Sequence, residues 1–98
     1  MTEDEFRGAR VMAALANVIR FRIVLLLEKR KRTPRELADE LHRTPARISH
    51  HLAILRAADL VRFKVIKGEH FYWLKCVDAA KVCHAAVTAA KKLRSVAS

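Results

Sequence analysis

Residues 33–74 read TPRELADELHRTPARISHHLAILRAADLVRFKVIKGEHFYWL, and two features of that stretch decide the architecture. The first is a repeated opening. Thr33-Pro34-Arg35-Glu36 has a Thr N-cap, Pro at the first helical position and Glu at the third, which is a capping box. Thr44-Pro45-Ala46-Arg47 repeats the Thr-Pro start. A helix is expected over about 34–41, a tight turn at His42-Arg43, and a second helix over 45–58. Leu37, Ala38 and Leu41 face inward from the first, and Ile48, Leu52 and Leu55 from the second, at i, i+4, i+7. The second feature is a change of period after Asp59. Leu60, Arg62, Lys64 and Ile66 alternate with Val61, Phe63, Val65 and Lys67, a strand with one more polar face. Lys67-Gly68-Glu69 makes a turn, and His70 to Leu74 returns as the second strand of a hairpin.

Working outward, Asn17 caps a helix over about 18–31 that is apolar on most sides (Phe21, Val24, Leu25, Leu27) and is expected at the centre of the core. Before it, Glu3, Asp4 and Glu5 open a helix to about Ala16, with Phe6, Ala9, Ala13 and Ala16 at helical spacing. After the hairpin, an Ala-rich helix is expected from Val77 to about Val96. The order is α-α-α-α-β-β-α. This is a mainly α chain with a small β-hairpin, and a helix-turn-helix followed directly by a hairpin is a winged helix. A single domain over 1–98 is expected.

Twenty Lys+Arg stand against ten Asp+Glu in 98 residues, a net charge of +10. That excess suits a polyanion, and with this fold the expected partner is double-stranded DNA. No cofactor is expected. An enzyme is disfavoured, because there is no Gly-rich phosphate loop, no nucleophile elbow and no closely spaced carboxylate pair. The apolar stretch Ile23 to Leu27 is too short to span a bilayer. No secretory signal opens the chain and its two cysteines form no disulfide framework, so a cytoplasmic setting is expected.

From Ala14-Leu15-Ala16-Asn17-Val18-Ile19-Arg20-Phe21-Arg22-Ile23, through Glu36-Leu37-Ala38-Asp39-Glu40-Leu41, to Ile48-Ser49-His50-His51-Leu52-Ala53-Ile54-Leu55 and the wing end Phe71-Tyr72-Trp73-Leu74, the chain resembles ArsR/SmtB-type winged helix-turn-helix regulators. The resemblance covers about residues 10–75. It implies a homodimer built from the first and last helices (1–16 and 77–96), a palindromic operator, and release from DNA on sensing an inducer of unknown class. Phe6, Ala9 and Ala13 on the first helix, and the small-residue stripe Val77, Ala80, Cys83, Val87 and Ala90 on the last, are the candidate dimer seam. The alternative is that the stripe closes the protomer's own core. Val18, His42 and Asp59 depart from the family's usual Pro, Gly and Gly, and Glu69 puts an acid at the wing tip.

The helix from Pro45 is expected to enter the major groove, with Thr44, Arg47, Ser49 and His50 as candidates for base contact. Arg47 has the chemistry to read guanine O6 and N7. A solvated helix face is the competing reading for Arg47 and His50. Phosphate candidates are Lys31, Arg32, Thr33 and Arg35 ahead of the helix-turn-helix, aided by free N–H groups after Thr33, and Arg62, Lys64 and Lys67 on the wing. His51, flanked by core positions, is expected to be packed and hydrogen-bonded. The family's best-known metal motifs are not matched, so no metal is expected. Cys76, Cys83 and His84 remain as a candidate thiol or intersubunit metal sensor, against the reading that both cysteines are small buried hydrophobes. Two rival functions stay open: a DNA-architectural protein of low specificity, and a winged-helix module that binds protein.

Overall fold

Four side-chain caps set where the helices begin in the computed structural model, which describes residues 1–96. Helix α1 (Glu3–Leu15) starts at Thr2, whose hydroxyl accepts from Glu5 N at 3.0 Å while its N–H donates to the Glu5 carboxylate at 2.8 Å. Helix α2 (Val18–Lys29) starts at Asn17, whose Oδ1 accepts from Ile19 N and Arg20 N at 2.9 and 3.1 Å. Thr33 and Glu36 close a full capping box on α3 (Pro34–Leu41), and the Thr44 hydroxyl accepts from Arg47 N at the start of α4 (Pro45–Ala57). Each cap supplies about 1 kcal/mol and, more importantly here, fixes the register of its helix.

The two turns flanking α4 are left-handed without glycine. His42 ends α3 at φ 54°, and Asp59 follows α4 at φ 64°. Asp59 is held there by an ion pair between its carboxylate and the Lys75 ammonium. Strands β1 (Val61–Ile66) and β2 (Glu69–Leu74) pair antiparallel, with Ile66 opposite Glu69. Lys67 and Gly68 both have positive φ, the type I′ geometry that matches the twist of a two-residue hairpin. Helix α5 (Asp78–Val96) completes the chain.

Helix α2 packs against α1, α3, α4, α5 and β2, as its all-round apolarity predicts. Ile23, Val24, Leu37, Ile48, Leu52 and Leu55 are fully buried around it. Each such side chain contributes about 1.5–3 kcal/mol of hydrophobic stabilisation. Ala80 and Cys83 belong to this core as well: both are completely buried within the protomer, so that part of the expected dimer stripe instead closes the protomer's own interior.

Other boundaries also differ from the sequence reading, with α4 ending one residue earlier at Ala57 and β2 starting one earlier at Glu69. Helix α2 stops at Lys29, before Lys31, because Arg30 turns to extended backbone and Arg32 makes an isolated antiparallel bridge to Tyr72 (N–H to carbonyl, 3.1 and 2.8 Å). Helix α5 begins at Asp78, so Val77 and Cys76 precede it. Helix α1 ends one residue earlier, at Leu15. Residues 97 and 98, the end of the expected single domain, lie outside the described residues.

The chain is longer than a compact one of its size. Its radius of gyration is 14.6 Å, against about 12.6 Å expected for a sphere-like domain. The excess lies along its longest dimension, 50 Å. From His84 to Val96 every residue of α5 is exposed, a helical rod of ~20 Å.

Candidate nucleic-acid interface

Helix α4 carries two opposed faces. Ile48, Leu52 and Leu55 are completely buried, which fixes the helix rotationally against α2 and α3. That rotation leaves Thr44, Arg47, Ser49 and His50 exposed, all four of the expected base-contact candidates. The Arg47 guanidinium has no ion-pair partner among the described residues. The short turn before α4 adds Arg43, whose guanidinium donates to the Leu41 and His42 carbonyls at 3.2 and 3.1 Å. It is exposed beside Thr44, a placement visible only once the turn geometry is known.

Acid placement sharpens the basic field. Glu36 pairs with Arg30 at 3.0 Å, Glu40 with Arg32, Asp59 with Lys75, Glu3 with Arg7 and Asp78 with Lys81. Arg35, Arg47, Arg62, Lys64 and Lys67 are exposed and have no such partner among the described residues. These five cations, on α3, α4 and the hairpin, are available to an anionic partner.

Of the phosphate candidates before α3, the structure overturns one and reassigns another. Arg32 is 5 % exposed; its backbone bridges Tyr72 and its guanidinium meets Glu40. It ties the root of the hairpin to α3. Thr33 is 7 % exposed and committed to its cap. Two of the N–H groups after Thr33 are taken, Glu36 N by Thr33 Oγ1 at 3.2 Å and Leu37 N by Thr33 O, and Thr33 N itself donates to Glu36 Oε1 at 2.9 Å. The Glu36 carboxyl is held below its ordinary range, chiefly by the Thr33 N–H, so that helix end already holds its anion. Lys31 stays exposed, its ammonium 5.2 Å from the centre of the Trp73 ring, and Arg35 is exposed.

On the hairpin, Arg62 and Lys64 share one face with Trp73 and Phe71 opposite them. The other face stacks Phe63 on Tyr72 and His70, with ring centres 5.2 and 4.9 Å apart, and Arg56 of α4 lies 4.5 Å over Phe63. The hairpin is thus braced against α4, and Arg62, Lys64 and the turn residue Lys67 project from a stiffened element.

His51 is half-buried as expected, and its Nδ1 lies 3.3 Å from an Arg20 guanidinium nitrogen. Burial first, then the charges of Arg20, His50 and Arg47, lower its proton affinity. The sensor candidates do not converge. Cys76 is exposed and precedes α5; Cys83 is buried, and burial followed by the Glu28 charge pushes its thiol up, away from reactivity. His84 pairs with Glu28 at 2.8 Å. Among the described residues no group of three His, Cys, Asp or Glu side chains is placed to hold a metal.

The other dimer-seam candidates are open. Phe6 is 50 % exposed, Val77 52 % and Val87 39 %, while Ala9, Ala13 and Ala90 are exposed. Met12, Leu93 and Val96 join them. Between α1 and α5 runs an apolar groove of about 550 Å³, lined by Gly8, Val11, Met12, Leu60, Ala79 and Val82.

Comparison with known proteins supports this geometry. The family description "bacterial regulatory protein, arsR family" matches residues 17–62, from the cap of α2 into β1. No curated protein sequence gives a significant match. Solved structures do. HlyU from Vibrio cholerae is similar at 24 % identity and TM-score 0.81, over 88 % of this chain and 94 % of that one. The homodimeric winged helix-turn-helix DNA-binding domain of Mb0332 from Mycobacterium bovis is similar at 23 % identity and TM-score 0.79, over 94 % and 89 %. The transcriptional repressor BigR from Xylella fastidiosa is similar at 22 % identity and TM-score 0.74, over 88 % and 85 %. No described helix is long and apolar enough to cross a membrane. Residues 17–62 match the description of arsR-family bacterial regulatory proteins, and the chain carries that segment on a winged helix-turn-helix fold.

Proposed function

We propose that the chain is a sequence-specific transcriptional repressor that acts as a homodimer in the cytoplasm and binds a palindromic operator. The observation that carries this reading is the two-faced α4: three completely buried side chains hold it, and Arg47, Ser49 and His50 stand free on its outer face. In the major groove, Arg47 donates its two parallel N–H groups to guanine O6 and N7, and Ser49 and His50 contact neighbouring edges or phosphates. Arg35, Lys31 and the hairpin cations Arg62, Lys64 and Lys67 neutralise flanking phosphates and set the orientation.

The dimer joins α1 and α5 of two protomers. Support comes from the apolar side chains that these helices leave exposed, among them Phe6 and Met12 on α1 and Val87 and Leu93 on α5. The homodimeric state of the similar Mb0332 domain and the repressor activity of the similar BigR point the same way. Two-fold symmetry then sets two half-sites about one helical turn apart, roughly 34–36 Å.

The net charge of +10 favours a second reading, an architectural protein with little sequence preference. Both readings give steep salt dependence, so only the ratio of specific to nonspecific affinity separates them. Fluorescence anisotropy on DNA from the protein's own promoter and on scrambled DNA, at about physiological salt, measures that ratio. A preference of ~10³-fold or more supports the repressor; equal binding supports the architectural protein.

A further inference from the structure

Arg20 touches both the first helix and the recognition helix. Its Nε donates to the Ala14 carbonyl, at the C-terminal end of α1, at 2.6 Å. Another of its guanidinium nitrogens lies 3.3 Å from His51 Nδ1 on α4. A guanidinium has five donors and no acceptor, so His51 Nδ1 must accept. His51 is therefore neutral in this arrangement, with its proton on Nε2. A protonated His51 has donors on both nitrogens and a positive charge, and it can only repel Arg20.

We propose that Arg20 and His51 form a proton-sensitive positioning link: the guanidinium, anchored on the end of α1, holds the neutral imidazole of α4, and protonation of His51 opens the link and loosens the recognition helix. This rests on the reading of α4 as that helix. The link joins an element of the dimer seam to the DNA-reading face through one side chain.

The surroundings of His51 make the opening one-directional. Arg20 reaches it from α2, and Arg47 and His50, whose ring centre is 5.8 Å away, reach it from its own helix. On α3, Glu36 and Glu40 pair with Arg30 and Arg32, and Asp39 is exposed. The charged residues of β1 are Arg62 and Lys64, both exposed, and α1 brings Arg10 beside Ile54 and Ala57 further along α4. No carboxylate is among the groups that act on His51, so nothing stabilises its cation.

The test needs no DNA in its first arm. Long-range ¹H–¹⁵N spectra of the wild-type protein are expected to show His51 as the Nε2–H tautomer. Its titration midpoint should lie below that of an ordinary histidine, and the α4 amides should move with it. In Arg20→Met the midpoint rises and the α1-end amides no longer follow. Arg20→Lys keeps a charge but cannot span Ala14 and His51 together, so the midpoint stays low while the α1-end response is lost. An Nδ1–H tautomer in the wild type, or an unchanged midpoint in Arg20→Met, overturns the proposal. Should Arg20→Met not fold, the wild-type tautomer and Arg20→Lys decide. In the second arm, promoter preference is measured between about pH 7.5 and 5.5, the range in which histidine titrates. It is expected to fall in the wild type and to stay flat in His51→Asn, whose amide oxygen takes the place of Nδ1 and accepts from Arg20. A parallel fall in His51→Asn overturns the link. Absence of DNA binding at every pH contradicts the functional reading, and the first arm then decides this proposal alone.

Discussion

Replacing Arg47 with Ala separates recognition from stability. Arg47 is exposed and has no ion-pair partner among the described residues, so its loss should change folding stability by no more than about 0.5 kcal/mol. If its guanidinium reads a guanine, each protomer loses about 1–3 kcal/mol of discrimination, which is roughly 5- to 140-fold per half-site. A symmetric dimer on a symmetric operator loses the contact twice, about 2–6 kcal/mol in all, provided the half-sites act independently. Binding to scrambled DNA, which lacks the bidentate contact, should weaken by much less. Its log-log salt slope should change by no more than about 0.9 for each phosphate contact removed. Anisotropy titrations on promoter and scrambled DNA over a salt series give all three quantities, and a urea melt of the same variant gives the stability. Equal loss on both DNAs would show that Arg47 is only a phosphate contact. No loss on either would remove α4 from the DNA interface.

Arg32→Met behaves in the opposite way. It should lower stability by about 1–3 kcal/mol in a urea melt, since it removes the partner of Glu40 and the tie between hairpin root and α3, while leaving the salt slope unchanged. A reduced slope would return Arg32 to the phosphate contacts. Stability should fall in two stages on acidification. His51 has lowered proton affinity in the fold, so the unfolded chain binds more protons and stability drops as pH falls below its ordinary value of 6.5. Glu36, also lowered, stabilises the fold above its ordinary 4.5, and that contribution is lost as pH falls through the folded value. Urea melts across this range should show the upper stage vanish in His51→Gln and the lower one shrink in Glu36→Gln. Met12→Glu with Val87→Glu, both at exposed positions, should convert a dimer to a monomer in sedimentation equilibrium while leaving helical content intact. A variant that remains dimeric would move the seam away from α1 and α5.

The helix-turn-helix and hairpin were legible because their signals are local. A Thr-Pro start with Glu at the third helical position satisfies its own backbone within one turn, and a change from period 3.6 to period 2 needs only neighbouring residues. The outward set Thr44, Arg47, Ser49 and His50 followed once Ile48, Leu52 and Leu55 were assigned inward. What failed depends on distant partners. Arg32 looks like its neighbours Lys29, Arg30 and Lys31, yet Tyr72, forty positions away, draws it into an antiparallel bridge, and Glu40 takes its charge. The capping box at Thr33 is legible in sequence, but it takes the Glu36 N–H and sets the Glu36 carboxylate at the helix end where a phosphate was expected. On α5 the small-residue stripe is continuous in sequence, while the neighbouring α2 covers Ala80 and Cys83 and leaves Val87 and Ala90 open. Arg20 gave no local signal, because its two contacts, Ala14 and His51, lie on other helices.

The most direct test of the central claim is methylation protection of guanine N7, which lies in the major groove, on promoter DNA bound by the wild type and by Arg47→Ala. The account predicts two protected guanine clusters about one helical turn apart, related by two-fold symmetry, with protection lost at the Arg47-contacted guanines in the variant. Protection that is absent, or spread evenly along the DNA and unchanged in Arg47→Ala, would contradict it.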